Sequence, residues 1–253
     1  MFDSGVGGIS VFREIKQQLP HVSIDYLFDN AFYPYGQLSE TQLVERITSL
    51  ISRVVETESP ALVVIACNSA STAALPALRE CLKIPVVGVV PAIKPAASHS
   101  KQNAIGLLAT EGTVNRSYIT ALINSYAAKC NVIKIGSNEL VEMAEMAYRG
   151  TKPCLERLAK ICAPFNNNVD TIVLGCTHFP LLSRYINQVT DHQIMLVDSG
   201  KAIASRVAQL LSGGEIKAPS QRIDRALYTK PNLDNPLIVG LQQEGFNQIN
   251  LIN

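Results

Sequence analysis

The chain contains no tryptophan, and Phe, Trp and Tyr together make up only 6 % of its 253 residues. Charged residues are sparse too, 17 % against about 25 % in an average soluble domain. Low charge beside 47 % apolar residues excludes the composition of an intrinsically disordered chain. Charge of one sign is also missing. The 22 Lys and Arg against 21 Asp and Glu leave a net charge of +1, with no basic or acidic run. Nucleic acid is therefore disfavoured as a partner, and a small metabolite is expected instead. The six cysteines (67, 81, 130, 154, 162 and 176) include no C-x-x-C pair, which removes support for zinc-ribbon and thioredoxin readings. They are too few for a disulfide scaffold. The uncharged stretch Ala61–Leu78 carries Asn68, Ser69, Ser71, Thr72 and Pro76, a poor composition for a membrane span. The opening MFDSGVGGIS shows neither the charged nor the apolar region of a secretory signal. A cytoplasmic protein with free thiols is the expectation.

What is present is a regular alternation. Continuous apolar runs at Ile24–Phe28, Ala61–Ala66, Val86–Val90, Ala104–Ala109, Val132–Ile135, Thr171–Leu174 and Ile194–Val197 read as strands covered on both faces. Amphipathic segments lie between them. In Ser39–Glu58, Ser39 and Gln42 fit a capping box, and Leu43, Ile47, Leu50, Ile51, Val54 and Val55 form one stripe. Thr113 or Asn115 is a candidate cap for a helix carrying Ile119, Leu122 and Ile123. Asn138 is a candidate cap for one through Leu140, Val141, Ala144 and Ala147, and Ser199–Leu211 repeats the pattern. Such alternation predicts an α/β fold with mainly parallel, doubly wound sheets.

The sequence also echoes itself. ALVVIACNSAS (61–71) resembles DTIVLGCTHFP (170–180), and Cys67 and Cys176 are 109 residues apart. PVVGVVP (85–91) and IMLVDSG (194–200) repeat that offset, and FDSGVGG (2–8) matches LATEGTV (108–114) more weakly. Two echoes at one offset predict two similar lobes. The expected division is 1–94 with 212–253 returning to it, and 95–211, with an active site in the cleft between the lobes. The tail from Ser212 is turn-rich and carries no motif.

In open α/β sheets ligands bind beyond the carboxyl ends of strands. Asp3-Ser4-Gly5, Cys67-Asn68-Ser69 and Cys176-Thr177-His178 occupy such ends, each expected to start a helix. Helix N-termini attract anions and lower thiol pKa values. A lone cysteine after a strand is ordinarily a small buried hydrophobe, and Cys81, Cys130, Cys154 and Cys162 keep that reading. His178, two residues from Cys176, makes the same reading harder there, because it can serve as a proton partner. DSGVGG is not a dinucleotide-binding fingerprint. Its glycines suit a tight turn or close backbone approach. His21, His99 and His192 sit in polar, loop-like sequence and read as surface, and Glu142 alone is compatible with a solvated helix face.

FDSGVGGISV, the PYG turn, ACNSAS, PVVGVVPAIKPA, ATEGTV, LVEMAE and LGCTHFPLL, in this order over residues 2–211, resemble the glutamate racemase family, among the cofactor-independent aspartate/glutamate racemases. The resemblance implies interconversion of L- and D-glutamate, supplying D-glutamate for peptidoglycan. Glutamate would be the small-molecule substrate, with no cofactor and no metal, and a homodimer is one form open to the protein. Cys67 and Cys176 would be the two acid/base groups, Asp3 assisting the first and His178 and Glu142 the second. Asp29 is a weaker candidate beside them. Asp3, Ser4, Tyr35, Gly36, Asn68, Ser69, Thr177 and His178 match the family's substrate-binding positions, with Thr72, Thr110 and Thr113 as softer additions. The family usually reads Cys-Asn-Thr where this chain reads Cys-Asn-Ser, a change that keeps the hydroxyl. It also places several apolar residues before the Asp3 position. Only Met1 and Phe2 stand there here, so either an upstream start or a weakened first strand is expected. The alternatives are aspartate racemase or another two-cysteine racemase, a non-catalytic carboxylate-binding regulatory protein on the same fold, and a Cys-His hydrolase needing one cysteine only.

Overall fold

The computed structural model describes residues 1–35, 38–191, 193–212 and 223–252. In chain order the first elements are β1 (Phe2–Asp3), α1 (Ile9–Gln18), β2 (Asp25–Phe28), α2 (Glu40–Glu58), β3 (Val63–Ile65), α3 (Asn68–Cys81) and β4 (Val86–Gly88). Then come α4 (Ile93–His99), β5 (Ala104–Ala109), α5 (Glu111–Val114), α6 (Ser117–Tyr126), β6 (Asn131–Gly136), α7 (Glu139–Tyr148), α8 (Leu155–Cys162) and β7 (Thr171–Leu174). The chain closes with α9 (Ser183–Val189), β8 (Met195–Val197), α10 (Gly200–Ser212), β9 (Arg225–Tyr228), α11 (Asn235–Gln243) and β10 (Gln248–Leu251).

Two compact units result: Met1–Val89 with Gly200–Asn253, and Val90–Ser199. The sequence places 200–211 in the second lobe. The structure places α10 in the first, because it packs on α1 and β4. Among the described residues no helix is long and apolar enough to cross a membrane.

The first unit holds a parallel sheet of order β10-β9-β2-β1-β3-β4. Both faces are covered, which is why its strands read as continuous apolar runs. Leu27 points to one face and packs in a cluster with Leu43, Ile47, Leu50 and Leu78 from α2 and α3. Tyr26, its neighbour, points to the other, where its ring lies 5.9 Å from Phe246, itself 4.6 Å from Phe12 of α1. Each fully buried Leu, Ile or Phe contributes about 1.5–3 kcal/mol. The capping box of α2 forms: Gln42 N donates to Ser39 Oγ (3.3 Å) and Ser39 N to Gln42 Oε1 (3.1 Å). The first strand is short, only Phe2–Asp3, yet it lies between β2 and β3, paired with both.

The tail carries more structure than its sequence announces. β9 pairs with β2, and β10 with β9. Arg225 forks onto Asp25 at 2.7 Å twice and reaches Glu58 at 2.5 Å. The segment containing Gly213, Gly214 and Pro219 lies outside the described residues.

The second unit holds a parallel sheet of order β6-β5-β7-β8. Ile105, Leu107 and Val173 pack on one face with Ile93, Ala96 and Ile119 from α4 and α6. Phe165 covers the other face over Gly106, where an added Cβ would meet its ring at 2.6 Å. Some caps differ from expectation. Thr110 caps α5, accepting from Thr113 N, while α6 follows Arg116 without a side-chain cap. Asn138 makes no cap bond to α7. Its Oδ1 accepts from Glu111 N, and Ser137 Oγ accepts from Leu140 N instead.

Candidate active site

In the first unit the candidate residues gather at the carboxyl ends of β1 and β3. Phe2 is in register with Ile65, and Ala66 N donates to Phe2 O at 2.7 Å. Asp3 and Cys67 therefore leave adjacent strands side by side. Asp3 is fully buried, and its Oδ1 accepts from Gly5 N (3.1 Å) and Ser4 Oγ (3.3 Å). It opens a turn rather than a helix, since α1 starts only at Ile9. Cys67 is the N-cap residue of the 14-residue α3, so it stands at the positive end of a helix dipole. Asn68 and Ser69 follow in the first turn, both buried. Asn68 Oδ1 is buried with no hydrogen-bond partner among the described residues. Thr72 hydroxyl donates back to Asn68 O and Ser69 O within the helix.

Tyr35 and Asp29 form a network beside this cluster. Tyr35 Oη donates to Asp29 Oδ2 (2.6 Å), Arg46 forks onto both Asp29 oxygens (2.9 and 2.8 Å), and Thr229 Oγ1 donates to Oδ1 (2.5 Å). Burial alone would raise the Asp29 pKa, but the bonds from Arg46, Thr229 and Tyr35 outweigh it and hold the carboxyl below its usual range. Burial, then the Asp29 charge and hydrogen bond, and then Cys67, hold the Tyr35 phenol far above its ordinary value. Tyr35 thus stays a donor, and its hydroxyl is directed at Asp29. Gly36 lies outside the described residues.

In the second unit β7 runs through Leu174 and Gly175 to Cys176. Gly175 is required by close approach: an added Cβ would sit 2.9 Å from Leu107 Cδ1 and 3.1 Å from Ala109 Cβ. Cys176-Thr177-His178, all buried, leads into a four-residue 3-10 turn, Phe179–Leu182, and not directly into an α-helix. The dipole available to Cys176 is correspondingly weaker than at Cys67. A side-chain relay stands in its place. Cys176 Sγ lies 3.8 Å from His178 Nδ1, and His178 Nε2 lies 2.9 Å from Glu145 Oε1. If Nε2 carries the proton for Glu145, Nδ1 presents a bare lone pair to the thiol.

The carboxylate on His178 is Glu145, which corrects the expectation of Glu142. Glu142 is exposed. The buried stripe of α7 is Leu140, Val141, Ala144 and Glu145; Glu145 stands one helical turn beyond Val141, on its face. That spacing was the available signal. Arg149, one turn further, donates from Nη1 to Glu145 Oε2 at 2.5 Å, a contact no motif announced. Thr110 and Thr113 are buried and share a hydroxyl bond of 2.8 Å.

All six cysteines are free. Of the four read as packing residues, Cys162 alone is buried, and desolvation pushes its thiol up to about 11. Cys130 is half-buried, while Cys81 and Cys154 are exposed, so the packing reading fails for those two. His21 and His99 are exposed as expected; His192 lies outside the described residues.

Two parallel α/β units each end a strand on a buried cysteine among polar neighbours. The family model described as Asp/Glu/Hydantoin racemase matches residues 7–207, and the chain belongs to that family. It is 50 % identical over 249 residues to glutamate racemase of Vibrio cholerae, covering 98 % of this chain and 94 % of that one. A glutamate racemase of Aliivibrio fischeri is 55 % identical over 218 residues, covering 86 % of this chain and 82 % of its own. Among solved structures, Escherichia coli glutamate racemase in complex with L-glutamate and the activator UDP-MurNAc-ala superposes with a TM-score of 0.95. That pair shares 45 % identity, over 99 % of this chain and 96 % of the other.

Proposed function

We propose that this protein racemises glutamate, with Cys67 and Cys176 as the two bases. The observation that carries this reading is one thiol at the equivalent strand end of each of two sheets built in the same order. Inverting a Cα centre requires a proton to leave one face and another to arrive on the opposite one. A thiolate takes the Cα proton as a thiol gives one up, and the roles exchange with direction. Identity of 50 % to a curated glutamate racemase supports glutamate as substrate.

The remaining residues take their roles from their chemistry. A free thiol near pKa 8.5 is mostly protonated at neutral pH, so each needs help to act as a base. Cys67 has the α3 N-terminus and buried Asp3; Cys176 has the His178–Glu145 pair. Asn68 Oδ1, a buried acceptor without a protein donor among the described residues, suits the substrate ammonium. Backbone N–H groups and the hydroxyls of Ser4, Ser69 and Thr177 suit its carboxylates. Preorganised dipoles in a water-poor site stabilise the developing carbanion. The scheme uses thiols throughout, assigns no cofactor, and suits a cytoplasm that keeps cysteines reduced. The product would feed peptidoglycan synthesis.

The deciding experiment is incubation with L-glutamate in D₂O. Deuterium entering Cα together with D-glutamate formation is expected. No exchange at high enzyme concentration overturns the reading, and faster exchange of aspartate than of glutamate overturns the substrate. Restoration of growth in a bacterium requiring D-glutamate tests the cell-wall role.

A further inference from the structure

Arg149 has no part in the reaction just proposed, yet its geometry ties it to Cys176. It is the C-cap residue of α7, followed by Gly150 at φ +89, a left-handed position that favours glycine. Thr151 N donates to Met146 O (2.9 Å) and Gly150 N to Ala147 O (3.0 Å), which fixes the end of the helix. From there the Arg149 Nη1 donates twice to Glu145, to Oε2 at 2.5 Å and to the backbone carbonyl at 2.9 Å. The two Glu145 oxygens are thereby divided: Oε2 belongs to Arg149 and Oε1 to His178 Nε2.

We propose that Arg149 is a positioning residue for the Cys176 half of the reaction, holding Glu145 so that His178 keeps its proton on Nε2 and turns Nδ1 to the thiol. The proposal rests on the reading of Cys176 as a base. An ordinary i, i+4 ion pair on a helix surface contributes little to stability and nothing else. This pair differs in where it leads. Arg149 and Glu145 side chains are 23 % and 11 % exposed, and the His178 beyond them is 2 % exposed. A carboxylate with two like oxygens turns freely about its last bond unless one is anchored. Once turned, it no longer selects the His178 tautomer, and an imidazole with its proton on Nδ1 offers the thiol a donor where a base needs an acceptor. Proton transfer at Cys176 would fail in that fraction of molecules.

The test compares Arg149→Met, Arg149→Lys, Glu145→Gln and the double variant of Met with Gln. In Arg149→Met, kcat is expected to fall about tenfold, the low end of what outer partners of a functional histidine carry, with KM changing less than about twofold. Lysine, a cation with three donors on a flexible stem, is expected to recover most of the rate. In the Glu145→Gln background, Arg149→Met should add nothing, because its effect passes through that carboxylate. Nitrogen-15 NMR supplies a readout independent of turnover. The chain has four histidines, and His178→Asn identifies the resonance to follow. Wild type is expected to show Nδ1 unprotonated, and Arg149→Met a mixture of tautomers in protein that circular dichroism shows to be folded. An unchanged tautomer and kcat in Arg149→Met, no recovery by lysine, or full additivity with Glu145→Gln each overturns the proposal. If wild type shows no Cα exchange, the racemase reading falls, and the tautomer comparison still judges the Arg149 contact.

Discussion

The first four strands of the first sheet run β2-β1-β3-β4, and the second sheet runs β6-β5-β7-β8. Element by element these are the same order, and β3 and β7 both lead to a cysteine, 109 residues apart. What surrounds the two thiols is not repeated. Cys67 holds the N-cap position of a 14-residue helix beside buried Asp3. Cys176 enters a 3-10 turn and faces an imidazole backed by Glu145 and Arg149. A repeated scaffold supplies like positions, and local sequence then gives each cysteine different neighbours: a helix N-terminus in one unit and a His–Glu–Arg chain of contacts in the other. A racemase needs this near-symmetry, since its substrate and product are mirror images at one carbon.

The largest expected effect tests the symmetry itself. Cys67→Ala and Cys176→Ala should each lower racemisation by at least about a thousandfold, since a positioned acid/base group contributes about 10²–10⁴. Turnover retained by either variant would remove the two-base scheme and leave a single-cysteine enzyme.

A smaller effect separates the two ways of tuning. His178→Asn and Asp3→Asn should each cost about a hundredfold. With Cα-deuterated substrates, slowing one thiol's transfer makes that step more limiting for the enantiomer it deprotonates. The isotope effect should therefore rise for one enantiomer in His178→Asn and for the opposite one in Asp3→Asn. A rise for the same enantiomer in both breaks the pairing of each helper with its own cysteine.

How much of this was legible in sequence depends on what kind of signal a residue leaves. Thr171–Leu174 and Ala104–Ala109 form as read, because strands covered on both faces must be apolar throughout. The Ser39–Gln42 box is legible because both its residues are local. β9 and β10 are not legible: RALY and QINL are short and mixed, and only pairing with β2 makes them strands. Glu145 was hidden behind Glu142 since both stand in LVEMAE, and only the buried face separates them. Residue type alone points Cys81 and Cys154 inward, but the last turn of α3 and the start of α8 leave both exposed.

The units also differ in how a carboxylate near the thiol is anchored: by its own helix in the second, and by residues distant in sequence in the first. In the first, buried Asp29 ties Arg46 of α2, Tyr35 and Thr229 after β9 into one network. Arg46→Met should destabilise the protein by about 2–3 kcal/mol, under the 3–5 kcal/mol of an abandoned buried charge, because two donors remain. The pH dependence has a definite sign. The Asp29 pKa is lowered in the folded state, so its stabilisation is full above the unfolded value and is lost as pH falls through the folded one. In Arg46→Met the folded pKa rises toward the unfolded one, so the loss on acidification should be smaller and complete at higher pH, read as urea midpoints over a pH series. An identical acid profile in both proteins would mean that Arg46 does not hold that charge.

The smallest effect compares helix starts. Ser39 caps α2 through its own side chain and is answered by Gln42, whereas Asn138 occupies the same place on α7 without capping it. A cap of the first kind is worth about 1 kcal/mol, so Ser39→Ala should lower stability by that amount. Asn138→Ala removes only an exposed 3.3 Å bond from Glu111 N and should cost no more than about 0.5 kcal/mol. Ser137→Ala should cost more than Asn138→Ala, since Ser137 Oγ accepts from Leu140 N in the first turn and is buried. Equal losses for Asn138 and Ser137, measured by chemical denaturation, would show that α7 is capped by the residue its sequence suggests. The start of the helix that carries Glu145 would then lie one residue further along.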